Sequence, residues 1–248
     1  MIMIINIIKW EGYSIMKLFA GSLVAVFCVL IGSSAEAAQR IYVWTEEYGT
    51  LAKGNAEIEF WDTAVTKDIQ TRNASDWTQK VELEYGITDH LNASLYQVYG
   101  QTADSSALTY VGYNIELKYR IAEANVLPVD VLLYAENEVS TVEGNMFEGK
   151  VVLSKDIERL NITYNQIYER LYSTGEGEHE YAAGISYEIA PWFRAGIESK
   201  GSYTEGEYAA GPTIAWLGNR IWANLGAVYG LNHKTNDREV RFLLGVPF

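Results

Sequence analysis

From Gly54 to the C-terminus the chain repeats one pattern, segments of about ten residues alternating apolar and polar, and no other feature restricts its fold so strongly. Alternation with period two puts successive side chains on opposite faces of an extended strand. In 76–87, Val81, Leu83, Tyr85 and Ile87 share one face, while Lys80, Glu82 and Glu84 share the other. In 110–121, Val111, Tyr113, Ile115, Leu117, Tyr119 and Ile121 oppose Asn114, Glu116, Lys118 and Arg120. Twelve such segments are expected: 55–66, 76–87, 91–101, 110–121, 129–140, 146–156, 160–172, 179–189, 192–201, 207–216, 220–230 and 239–248. The fold class is therefore all-β, with sequential antiparallel strands.

Two arrangements bury one face of such strands, a sandwich and a closed barrel. The connections favour the barrel. Those near Asp89, Ala124, Glu158, Pro191 and Gly218 are mostly short; those near Arg72, Ser105, Glu143, Gly175, Glu205 and Lys234 are mostly longer or richer in Gly, Ser, Thr and Asn. Membrane barrels alternate short inner turns with longer outer loops, and an even strand count returns both termini to the periplasm. In lipid every backbone N–H and C=O must find a partner within the protein, so strands can cross only as a closed barrel. The expected fold is a transmembrane up-and-down barrel over 54–248, preceded by a short periplasmic lead at 38–53.

The N-terminus reads as a secretory signal over residues 1–37: Lys17, the apolar run Leu18–Ile31, and the small residues Ala35 and Ala37 around the expected cleavage site. Met16 heads this signal better than Met1. The apolar run falls short of the roughly 20 residues a spanning helix needs. Cys28, the only cysteine, lies within the signal, which leaves the mature chain without thiol chemistry. Composition agrees with a membrane barrel, since the 18 Tyr and 7 Trp suit both pleated surfaces and membrane–water interfaces. Trp77, Tyr110, Trp192, Trp216 and Tyr229 fit interface girdles, whereas Trp61 and Trp222 fall on the inward face. The formal net charge of −13 argues against a nucleic-acid partner.

At the C-terminus Val240, Phe242, Leu244, Val246 and Phe248 alternate up to a terminal aromatic. This resembles the last strand of Gram-negative outer-membrane proteins, in which the pattern is read by the barrel assembly machinery. The resemblance implies an outer-membrane location, with lipid and that machinery as partners. A second, narrower resemblance lies in Leu83-Glu84-Tyr85-Gly86-Ile87-Thr88-Asp89-His90-Leu91-Asn92-Ala93-Ser94-Leu95. It is similar to the strand–turn–strand signature of phenol-degradation meta-pathway-like and related transporter-like barrels, and implies a barrel more than a substrate.

With the apolar face toward lipid, the polar face lines the interior. The expected lining includes Glu57, Glu59, Lys80, Glu82, Glu84, Glu116, Lys118, Arg120, Glu136, Glu138, Lys150, Glu188, Arg194, Glu198 and Arg241, with Asp130, Glu148, Glu169, Glu180 and Lys200 beside them. Acids outnumber bases on this face. Three consequences are open: salt bridges of both signs filling the lumen, an acidic pore favouring cations, or a solvated interior without selectivity. Catalysis finds little support. His90 is placed at the opposite end from His179 and His233, Glu178-His179-Glu180 contains a single imidazole, and Asp237 near His233 is a weak acid–base pair. Neither a phosphate-cradling loop nor zinc-ligand spacing is present, and no cofactor is implied. Gly184, Gly196, Gly211, Gly226 and Gly245 fall within strands, where they relieve crowding or permit bending. The leading expectation is a passive channel for small solutes; the competing ones are a closed barrel acting through its loops, a surface hydrolase and a soluble periplasmic binder.

Overall fold

A computed structural model describes residues 39–71, 75–105, 107–142 and 144–248. The signal, with Ala35 and Ala37, lies outside the described residues. Twelve strands form: β1 (Ala56–Thr66), β2 (Ser75–Thr88), β3 (Leu91–Gln101), β4 (Thr109–Arg120), β5 (Asp130–Ser140), β6 (Met146–Ile157), β7 (Leu160–Leu171), β8 (Gly177–Ala190), β9 (Phe193–Ser202), β10 (Glu207–Leu217), β11 (Trp222–Gly230) and β12 (Arg238–Pro247). Each differs from its expected segment by two residues or fewer at either end. Every strand pairs antiparallel with its neighbour in sequence, and β1 pairs with β12 to close the barrel. Closure leaves no unpaired edge, as a strand protein in lipid requires.

The two faces divide as the alternation dictates. Leu83, Tyr85, Ile115, Leu117, Tyr119, Ile185, Tyr187, Ile197 and Leu225 are exposed on the outer wall. Such an apolar exterior suits hydrocarbon and not water. Trp192 and Trp216 stand exposed at the end carrying the termini, and Trp77, Tyr110 and Tyr229 at the loop end. Trp61 and Trp222 turn inward: Trp222 is fully buried and donates to Glu57 at 2.5 Å, while Trp61 donates to Glu59 at 2.9 Å. On β12 Phe242 is exposed and Val246 buried, and Phe248, just past the strand, is exposed.

The 38–53 stretch, expected as a lead in the periplasm, departs from that expectation. Its described residues, 39–53, enter the barrel from the terminal end, and Tyr42, Val43, Trp44, Thr45 and Glu46 are buried in the lumen. A twelve-stranded wall encloses more space than its own side chains fill, so a short segment can occupy the interior where its backbone finds partners. The wall supplies them. Glu198 on β9 accepts from the backbone N–H groups of Val43, Trp44 and Thr45 at 2.8, 2.8 and 2.9 Å, and from the Thr45 hydroxyl at 3.0 Å. Asn165 accepts from Glu46 N at 2.6 Å and donates to Glu46 O at 2.9 Å. Asn224 donates to the carbonyls of Arg40 and Tyr42, and Arg241 to that of Val43. Two inward glycines make room: a Cβ at Gly184 would overlap the Tyr42 ring, and one at Gly226 would overlap Val43 and Trp44.

Candidate functional site: a plugged, acid-lined lumen

The expected lining residues can be placed one by one. Glu57, Glu59, Glu82, Glu84, Glu116, Lys118, Asp130, Glu136 and Glu198 are buried within the barrel. Lys80, Glu138, Glu148, Lys150, Glu169, Glu180, Lys200 and Arg241 border a central cavity of about 310 Å³. Arg120 and Arg194 border a cavity of about 700 Å³ at the terminal end, and Arg194 approaches Glu188 at 3.4 Å. A third cavity, of about 1090 Å³, opens between the loops and is bordered by Lys80, Glu138, Glu169 and Glu178. Residues 39–48 separate the terminal cavity from the other two.

Strand register organises these charges. Glu57 pairs with Glu84, Glu84 with Ser94, Ser94 with Glu116, Glu116 with Glu136, Glu136 with Glu148, Glu148 with Glu169, and Glu169 with Glu178. One hydrogen-bonding row across eight strands thus carries a carboxylate at every position but Ser94. Strands of a membrane barrel tilt by about 35–45°, so a row perpendicular to them climbs the wall. It begins one residue inside β1 at the terminal end and finishes one residue inside β8 at the loop end. Like charges directly opposite each other destabilise a sheet, so this row costs stability unless something neutralises it.

Bases on the adjacent row do part of this. Lys118 lies 3.1 Å from Glu46, 3.2 Å from Glu84 and 3.3 Å from Glu116. Lys150 lies 2.9 Å from Glu148. The inserted segment adds Arg40, 2.8 Å from Glu46, 3.7 Å from Glu47 and 3.8 Å from Glu59, with its guanidinium over Trp61. Burial would raise the Glu46 carboxyl, but Arg40, Lys118 and Lys150 outweigh that and hold it at about 2. Burial pushes Glu47 up to about 7 although Arg40 opposes the rise.

The weak catalytic candidates do not assemble. His90 sits in the β2–β3 turn against the Arg120 carbonyl and Glu123. His179 stacks on Tyr168 near the loop end. Asp237 accepts from the Ile69 backbone N–H at 3.0 Å, so its carboxylate is held by a neighbouring loop. The Asn161 side chain faces the lumen and accepts from the Tyr42 hydroxyl at 2.9 Å.

No protein-family model matches the chain, and no curated protein matches it either. The likeness of the 83–95 hairpin to phenol-degradation meta-pathway-like barrels therefore remains a resemblance of one hairpin. Solved structures do match. An outer-membrane channel from Pseudomonas putida F1 superposes with a TM-score of 0.59 at 10% identity, covering 84% of this chain and 100% of that one. The KdgM porin gives 0.57 at 9%, covering 77% and 98%, and the NanC porin 0.52 at 14%, covering 78% and 98%. At these identities the likeness is one of fold: a closed twelve-stranded antiparallel barrel of the outer-membrane type.

Proposed function

We propose that the chain is an outer-membrane channel through which small solutes pass passively, with cations favoured, and that residues 39–48 obstruct it in the conformation described. The observation that carries this reading is the carboxylate row running from one mouth to the other beneath the inserted segment. A wall built only to be filled gains nothing from like charges in register, whereas a pore gains a raised local cation concentration. The porins and the channel of similar fold are consistent with it. The C-terminal Phe248, with Phe242, Leu244 and Val246, is proposed as the signal for barrel assembly.

The reading is tested by planar-bilayer recording across a KCl gradient. Discrete steps with a cation-selective reversal potential are expected, and a Glu136→Gln/Glu148→Gln/Glu169→Gln variant should move that potential toward zero. Anion preference, or a reversal potential unmoved by the three substitutions, would remove the selectivity claim. The inserted segment also favours a second reading, a permanently closed barrel acting through its loops. That reading expects silence even after the clamp at Glu198 is removed.

A further inference from the structure

A fully buried group of carboxylates lies in the wall of β2 and β4, facing the inserted segment. Glu82, Glu84 and Glu116 each present an oxygen within 4.8 Å of the others, and all three are at most 2% exposed. Glu84 and Glu116 have partners: Asn92 donates to Glu84 at 2.9 Å, Tyr96 to Glu116 at 2.5 Å, and Lys118 approaches both. Glu82 is different. It is 0% exposed, and neither carboxylate oxygen has a hydrogen-bond partner. A buried carboxylate with both oxygens unsatisfied is among the costliest groups a protein can hold.

Charge points the same way. Three carboxylates against Lys118 leave an excess of two negative charges at this point, and Glu59, opposite Glu82 in register, already faces Arg40. We propose that Glu82, Glu84 and Glu116 form a site for a divalent hard cation of calcium type, with Glu82 as the ligand that has no other role. Oxygen-only donors suit calcium or magnesium. Calcium–oxygen distances of about 2.3–2.6 Å place opposite ligands about 4.6–5.2 Å apart, whereas magnesium brings them to about 4.2 Å at most. The three oxygens all lie within 4.8 Å of one another, which admits either shell; burial favours calcium, because magnesium gives up its waters reluctantly and usually keeps several of them. Entry lies through the terminal cavity, which Glu84, Glu59 and Lys118 border. The half-buried group Glu169, Glu178 and Glu180 at the loop end has the same composition. It carries no comparable orphaned carboxylate, and serves as the control.

Binding at equilibrium does not require that the barrel conduct, so this proposal and the channel reading can fail separately. The test is calorimetric titration of the purified, detergent-solubilised barrel with calcium chloride, repeated with magnesium chloride. One calcium per chain is expected, with magnesium weaker. Glu82→Gln should lower calcium affinity at least tenfold, and Glu169→Gln should leave it unchanged; heat-modifiable gel mobility confirms folding of each variant. Glu116→Gln provides a second variant if Glu82→Gln does not fold. No calcium uptake by the wild-type barrel, wild-type affinity in both Glu82→Gln and Glu116→Gln, or loss confined to Glu169→Gln would overturn the proposal.

Discussion

The two halves of the lumen are built from the same residue types and treat them in opposite ways. At the terminal end the acids of β1–β4 are sealed beneath residues 39–48, with Glu57, Glu59, Glu82, Glu84 and Glu116 at most 2% exposed. Toward the loops the continuation of the same row, Glu148, Glu169 and Glu178, is only partly buried and borders open space. Burial alone distinguishes them. Charges in a sealed, low-dielectric setting need a matched partner, because removing one leaves the other desolvated and uncompensated. Charges beside water need none. Substitutions of one kind should therefore have large effects in the first half and small ones in the second.

The largest effect is expected at Lys118. Lys118→Met strands Glu46, Glu84 and Glu116, and should cost about 3–5 kcal/mol in equilibrium unfolding by urea. Lys67→Met, which breaks an exposed pair with Asp76 at the loop end, should cost about 0–1 kcal/mol. Glu198→Ala comes next. It removes the acceptor of three backbone N–H groups, each charge-assisted bond contributing roughly 1.5–3 kcal/mol, and should expose residues 39–48 to trypsin at Arg40 while the barrel stays folded. Gly184→Leu should release the same segment by steric overlap with Tyr42, at about 1–3 kcal/mol.

A pH effect follows from Glu47. Its carboxyl titrates near 7 when the segment is inserted and near about 4.3 when free. Insertion therefore favours the protonated form of Glu47: this contribution is full below the free value and is lost as pH rises through 7. Protection of Arg40 from trypsin should fall between pH 5 and pH 8, and Glu47→Gln should flatten that fall. The smallest effect is expected at Glu178→Gln, within about 0.5 kcal/mol of wild type, with a measurable loss of cation preference as its only consequence.

The wall was legible in the sequence because period-two alternation encodes a strand and its orientation together. Once Val81, Leu83 and Tyr85 are assigned to lipid, Glu82 and Glu84 have only the lumen left. Trp61 and Trp222 followed from the same parity. The inserted segment was not legible. Tyr42-Val43-Trp44-Thr45 has neither alternation nor a turn signature, and its conformation is set by hydrogen bonds to residues more than a hundred positions away. The signals it left in the sequence were indirect: Glu198 without a lumenal base opposite it, and Gly184 and Gly226 among the glycines whose parity turns them inward. The carboxylate row was hidden for a related reason. Each glutamate was visible as inward, but their alignment depends on register between strands, which no single segment encodes.

The account rests on residues 39–48 obstructing an acidic path that would otherwise conduct. Its most direct test is removal of that segment. In a variant lacking residues 39–48, single-channel recording should show cation-selective steps of larger conductance and longer open time than those of the intact barrel. Equal conductance and equal open time in the two proteins would contradict the account.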